Sequence, residues 1–292
     1  MQELVIQTVV NALIQSSFTA IVAVGLVLII GVMQIVNFAH GELYMAGAYT
    51  LWFSFSELHV PFFLAILVAI VVVTAIGIFM ERSLFRPMRG NLLGGLIVSV
   101  GMLFVLQVLA VWLFGEGLMK HIDPPFEEVW TVFGIEGVTV PNQRLVVVAV
   151  AGALLMAFWF FLRRTKVGWA LRACTQDPEA AALQGISIDK FSLIAMVISA
   201  AMAGAAGAVM APLVVVDPYM GHNVLITAII VMIVGGMGSL EGALIAAVAY
   251  SFFHTFVTTF ADGVLATIFG LLLMMVVLIV RPTGIFGTRE KF

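Results

Sequence analysis

Long apolar runs, separated by short polar breaks, fill most of the chain between residues 12 and 281. A helix that crosses the hydrocarbon core of a bilayer needs about 20 mostly apolar residues. Nine windows meet or approach that length: 12–33, 36–56, 62–80, 92–114, 144–162, 191–213, 223–239, 242–260 and 263–281. None shows the strict alternation of a lipid-facing barrel strand, and only helices and closed barrels satisfy their own backbone in lipid. The pattern predicts an all-α polytopic integral membrane protein of about nine transmembrane or broken helices, forming a single transmembrane domain over 1–292. Composition supports this: 63% of the 292 residues are hydrophobic and 10% charged, too apolar a balance for a soluble exterior. The N-terminus, Met1-Gln2-Glu3, lacks the basic region that opens a secretory signal, so the first apolar run is expected to stay as a span.

The cationic residues are grouped. Arg82, Arg86 and Arg89 share one loop. Arg163, Arg164, Lys166, Arg172 and Lys190 share another, and Arg281, Arg289 and Lys291 close the chain. Only Lys120 and Arg144 fall elsewhere. The positive-inside rule assigns all three groups to the cytoplasm. The even numbers of spans between them agree. The loop at about 115–143 then faces outward, carrying Glu116, Asp123, Glu127, Glu128 and Glu136 with Pro124, Pro125 and Pro141. Three spans before Arg82 put the N-terminus outside; if 34–49 only dips and returns, it lies inside.

Two breaks hold candidate chemistry. Between Gly31 and Gly41, the residues Gln34, Asn37, His40, Gly41 and Glu42 crowd a gap between apolar segments. They fit either a short cytoplasmic turn capped by Asn37, or the end of a discontinuous helix beside a translocation path, where polar groups at membrane depth find a cavity. The second break is the cytoplasmic loop at about 163–190. There Asp177 is placed to cap a short helix, Pro178 fits its first turn, Glu179 complements its positive end, Ala180 and Ala181 propagate it, and Gly185 stops it. Such a helix either closes a loop or lies in a partner's groove.

Ser199, Ala203, Gly207 and Ala211 recur every four residues and form a small-residue stripe for close helix packing. Gly235, Gly236 and Gly238 either unwind a span or make its turn, with Glu241 beside them. Gly41, Leu43, Ala46, Ala48 and Tyr49 match Gly242, Leu244, Ala247, Ala249 and Tyr250 in order and spacing, a faint repeat that chance also explains. No lysine follows a glycine, so no Walker A loop is present. The histidines form no zinc pair, and no Gly-x-Ser-x-Gly elbow appears. The lone Cys174 excludes an intrachain disulfide. These absences disfavour an intramembrane enzyme. A self-sufficient secondary transporter or channel would need an ionisable ladder, for which only His40, Glu42 and Glu241 are available.

The run from Gly25 to Leu43, with its core Asn37-Phe38-Ala39-His40-Gly41-Glu42, resembles the signature of the high-affinity branched-chain amino acid permeases of ABC importers, the first of their two permease types. The resemblance extends through Gly235-Gly236-Met237-Gly238-Ser239 to the segment from Arg281 to Gly287. It implies an ABC-importer permease fold in the bacterial cytoplasmic membrane and transport of branched-chain or related small amino acids. Relatives with the same pattern move urea or short amides. It also implies a second related permease as heterodimer partner, two cytoplasmic ATPase subunits that carry ATP and magnesium, and an external substrate-binding protein. This chain is expected to bind no cofactor. In ABC importers a loop with Glu-Ala-Ala, three residues, then Gly docks into the ATPase; Glu179, Ala180, Ala181 and Gly185 match it. The longer motif's distal Leu-Pro is replaced here by Ile198 and Ser199.

Overall fold

The computed structural model describes residues 1–115, 119–131 and 137–287. Glu116, Glu136, Arg289 and Lys291, expected in the outer loop and the basic tail, lie outside the described residues.

Each of the nine apolar windows contains a helix. Seven are long and apolar enough to cross a membrane: α1 (Gln2–Met33), α3 (Phe62–Met80, continued by tighter and looser turns to Met88), α4 (Leu92–Phe114), α5 (Asn142–Arg164), α8 (Ile188–Met210), α10 (Leu240–Phe260) and α11 (Gly263–Val280). Two are shorter, α2 (His40–Trp52) and α9 (Met220–Gly235). The cytoplasmic loop read from the sequence holds α6 (Lys166–Gln176) and α7 (Pro178–Leu183). A two-stranded antiparallel hairpin, β1 (Val129–Thr131) with β2 (Thr139–Pro141), lies in the loop before α5. Ends are set by local chemistry. Asn91, Thr165, Asp177, Ser239 and Asp262 each accept a hydrogen bond from a first-turn backbone N–H, supplying partners that the opening turn lacks.

α1 is the central pillar. It packs most extensively against α10, and further against α8, α9 and α5. At its start, Gln7 exchanges two hydrogen bonds with the Thr139 backbone of the hairpin. At its end, Gly31 lies against Thr175 of α6. The hairpin and the basic loops therefore mark opposite ends of the bundle.

The basic end is tied by an ion cluster that runs from the buried Glu81 out to the half-exposed Arg86 and Asp189. Arg89 pairs with both Glu81 and Asp189, and Arg86 Nη2 reaches Asp189 Oδ2 at 2.7 Å. Glu81 is only 1% exposed. Removing its partner would leave an uncompensated buried charge, at a cost of about 3–5 kcal/mol. The cluster fastens the α3–α4 connection to the first turn of α8. At the same end, Gly235, Gly236 and Gly238 make the turn after α9. The last described segment closes it, with Ile285 N and Phe286 N donating to the Val234 and Gly235 carbonyls. Glu241 lies on the surface in the first turn of α10, 80% exposed and 3.0 Å from Arg163, rather than in the turn before it. The stripe Ser199, Ala203, Gly207 and Ala211 is wholly buried inside the chain, with Ser199 Oγ donating to Gly25 O at 2.8 Å.

The faint repeat does not describe equivalent places. α2 begins inside the bundle and packs on α8 and α3; α10 begins at the basic end and packs on α1. The shared residues reflect a common need for small side chains at close helix approaches.

The grouping of arginine and lysine predicts that the basic end is cytoplasmic. Cys174 cannot report on this, because it is fully buried and burial pushes its thiol above the ordinary range. Glu128 and Leu183 are exposed at opposite ends. Glu128→Cys should react with an impermeant maleimide in intact cells, and Leu183→Cys only after permeabilisation. The reverse pattern would invert the topology.

Candidate functional site

The break after α1 is not a turn in water. α1 stops at Met33, where Gln34 takes a left-handed backbone (φ 54°) and donates its N–H to Ile30 O. The chain then re-enters the bundle without helical structure over 34–39 and becomes helical again only at His40. α4 gives its depth. Ile35 lies against Gly95, near the start of α4, and the Val36 carbonyl accepts from Ser99 Oγ at 3.2 Å. Gln107 Nε2 donates to Glu42 Oε1 at 3.0 Å. Tyr49 stacks on Phe114, at α4's far end, with ring centroids 4.7 Å apart. Residue 107 stands about 22 Å along α4 from its first residue, so Glu42 lies well inside the membrane. The crossing is made by an extended segment followed by a half-length helix.

Non-helical backbone at this depth survives only where protein surrounds it. Asn37 does much of the local work: its side-chain oxygen accepts from Ala39 N at 3.0 Å and its carbonyl accepts from His40 N at 3.2 Å. The Ala39 carbonyl accepts from both Glu42 N and Leu43 N. His40 Nε2 donates to Val22 O of α1 at 3.1 Å, the carbonyl fixing that nitrogen as the protonated one. Asn37, His40 and Glu42 are each 0% exposed.

A second short helix meets the first there. α9 also begins inside the bundle, and its Gly221 lies backbone to backbone with Gly41 of α2. A methyl group added to either glycine would overlap the other's carbonyl. The two helices thus bring their positive N-terminal ends together at one point. Asp217 caps the entry to α9, accepting from Tyr219 N at 2.8 Å. Glu42 Oε2 lies over Gly221. Three buried polar atoms of this segment have no hydrogen-bond partner among the described residues, Asn37 Nδ2, His40 Nδ1 and Glu42 Oε2, and Tyr49 Oη about two turns further along α2 has none either. Buried polar groups are satisfied in the great majority of cases, so such a concentration marks a place completed by something else. Beside it, Tyr219, His222 and Asn223 are exposed at the start of α9.

Of the residues singled out in the sequence, Asn37, His40, Gly41 and Glu42 come together here. Gln34 does not: it is exposed at the basic end of α1, separated from the cluster by the extended segment. Gln107, Asp217, Gly221, His222 and Asn223 were not singled out by sequence reading. Their only local signal is polarity or glycine next to an apolar run; their grouping is tertiary.

The second candidate forms as a capped helix. Asp177 Oδ1 accepts from Ala180 N at 2.9 Å, Pro178 occupies the first turn, and Gly185 takes φ +81° just beyond the end. Ala181 is buried against the chain, whereas Glu179, Ala180, Ala182, Leu183 and Gly185 are exposed. α7 therefore offers one outward face at the basic end.

Over residues 8–280 the chain matches the family described as "Branched-chain amino acid transport system / permease component". It is 32% identical to the high-affinity branched-chain amino acid transport system permease protein BraD of Pseudomonas aeruginosa, covering 98% of this chain and 96% of that one. It is 30% identical to the LivH permease protein of the corresponding Escherichia coli K12 system, with the same coverage. A more distant similarity, 26% over 85% of this chain and 77% of the relative, is to the ribose import permease protein RbsC of Escherichia coli K12. No solved structure gives a significant match.

The crossing of α2 and α9 predicts a sharp steric test. Gly41→Ala and Gly221→Ala each drive a methyl into backbone and should destabilise the chain by at least the ~1–3 kcal/mol typical of overpacking. Gly152→Ala, whose methyl meets nothing within 4 Å, should be neutral. Thermal unfolding of the purified variants in mild detergent measures both.

Proposed function

The chain belongs to the branched-chain amino acid transport permease family, and from that premise we propose that it is a translocation subunit of an ATP-driven importer for branched-chain or related small amino acids. It works in the bacterial cytoplasmic membrane beside a second, related permease. Two ATPase subunits on the cytoplasmic side supply the nucleotide and magnesium chemistry, and an external binding protein delivers substrate. The observation that carries the ATP-driven reading is α7: a capped helix in the Glu-Ala-Ala setting, exposed on one face among basic loops.

Coupling follows from the connections of α7. A docked ATPase pushes on α7, which leads within five residues into α8. The first turn of α8 holds Asp189, the residue clamped by Arg86 and Arg89, so the α3–α4 connection moves with it. Further along, Gly204 and Gly207 of α8 lie directly against Gly47 and Tyr44 of α2. Displacement of α8 is thereby delivered to the helix whose N-terminus meets α9 at the polar junction. Nucleotide drives the cycle only through its different affinity for the two arrangements. We assign the junction of Asn37, His40, Gly41 and Glu42 to the translocation path. A substrate with an apolar side chain and a zwitterionic head needs apolar walls and a few polar groups, and this polar cluster within an apolar bundle motivates the assignment. Gln34 at the basic end is left to the path's inner mouth.

The similarity to a ribose permease supports the transport architecture rather than a sugar substrate; the more identical relatives motivate the amino acid.

Two tests follow. Glu179→Arg with Gly185→Trp should leave the permease in the membrane while abolishing transport-coupled ATP hydrolysis. Losing the first-turn acid weakens the helix start by only about 0.3–1 kcal/mol. Normal uptake by this variant would remove α7 from the mechanism. Separate alanine variants of Asn37, His40 and Glu42 should each lose stability by roughly 1–3 kcal/mol, because a buried partner is left unpaired. Uptake of radiolabelled leucine should fall beyond the loss of assembled protein. Three variants that transport at wild-type rates would take the junction out of the path.

A further inference from the structure

A cavity of about 760 Å³ opens between α5 and α10, on the other side of α1 from the polar junction. Val22 and Gly25 of α1 face His40, whereas Val24 lines the cavity. Two residues along a helix are about 200° apart around its axis, so the two sites have different walls.

The depth of this cavity is one leaflet. Val24 stands nine residues before the end of α1, or about 14 Å from the basic end. Half of a ~30 Å hydrocarbon core is nearly the same distance. Chemistry changes along that depth. Near Val24 the walls are Leu155, Phe158 and Leu244; near the basic end they are Arg163, Arg172 and Ser239. The guanidinium of Arg163 lies 4.9 Å from the Trp159 ring at the lateral edge, and Arg163 is already paired with Glu241. Arg172 is in no ion pair among the described residues. Its Nε is buried without a hydrogen-bond partner among the described residues.

We propose that this cavity holds an anionic phospholipid of the leaflet at the basic end, its phosphate on Arg172 and an acyl chain along Leu155 and Leu244. Anionic lipids are concentrated in the cytoplasmic leaflet and are drawn to basic pockets between membrane helices. A free phosphate would use only the mouth and would leave the apolar walls unfilled. The proposal depends on the membrane reading and the orientation, and not on which solute is transported.

The full chain, with any subunits that accompany it, is equilibrated in nanodiscs of equal phosphatidylglycerol and phosphatidylcholine. It is then released into mild detergent and weighed by native mass spectrometry. Wild type should retain phosphatidylglycerol in preference to phosphatidylcholine, and excess inorganic phosphate should not displace it. Arg172→Gln should weaken retention about fivefold, and Arg172→Lys should restore it. Leu155→Trp, which fills the apolar part, should lose the lipid with Arg172 intact. Equal retention of both lipids by wild type would overturn the proposal. So would unchanged retention by Arg172→Gln, displacement by phosphate alone, or loss of the lipid whenever an ATPase subunit is bound.

Discussion

Everything in this fold turns on how six non-helical residues, 34–39, are kept satisfied inside a membrane. Lipid offers their peptide groups nothing, so neighbouring side chains and carbonyls must. Ser99, Asn37 and the Ala39 carbonyl carry out that task with hydrogen bonds of 3.0–3.2 Å. His40 then anchors the restart of the helix to α1. The enclosure this requires explains why α1, α2, α4, α8 and α9 pack so closely around the break, and why glycine stands at the points of contact. Between Ile35 and Glu42 the chain moves from beside Gly95 to beside Gln107 of α4, about 18 Å along that helix. That leaves room for α2 and α9 to start inside and run to opposite ends.

Much of this was legible in the sequence. Length and apolar content found every spanning element, because the bilayer imposes one strong rule on each. The cap at Asp177 and the stop at Gly185 were equally readable, being local chemistry. The break at 34–42 was visible as a polar cluster, but not its depth. Spacing alone cannot tell a turn in water from backbone sheltered by α4, whose Gly95, Ser99 and Gln107 lie some 60 residues away. For the same reason Gln34 was grouped with Asn37, His40 and Glu42, although a left-handed cap and one extended segment separate them. Gly221 gave no sign of its partner Gly41. The two are 180 positions apart, and each glycine is ordinary until the other is placed against it.

The two candidate sites are joined by rigid parts rather than by a flexible linker. A helix of six residues has little internal freedom when capped at one end and stopped at the other. Any displacement of it would pass into α8, where Gly204 and Gly207 hold α2 at backbone distance. Contacts of this kind transmit movement because there is no side chain to rearrange in between. The ion cluster at Glu81, Arg89 and Asp189 adds a second, electrostatic fastening at the same end; burial shields its Glu81 leg from salt, while the half-exposed Asp189 leg is open to screening.

The central position of α1 bears on how the protein is made. α1 is made before α10, some 200 residues ahead of it, yet its most extensive contacts are with α10. In the finished fold the hydroxyls of Thr8, Ser16 and Ser17 donate to their own helix's carbonyls, whereas the buried Thr19 Oγ1 has no partner among the described residues. The bundle can close around α1 only once α10 has been made, and a chain interrupted before then would leave α1 without its most extensive partner.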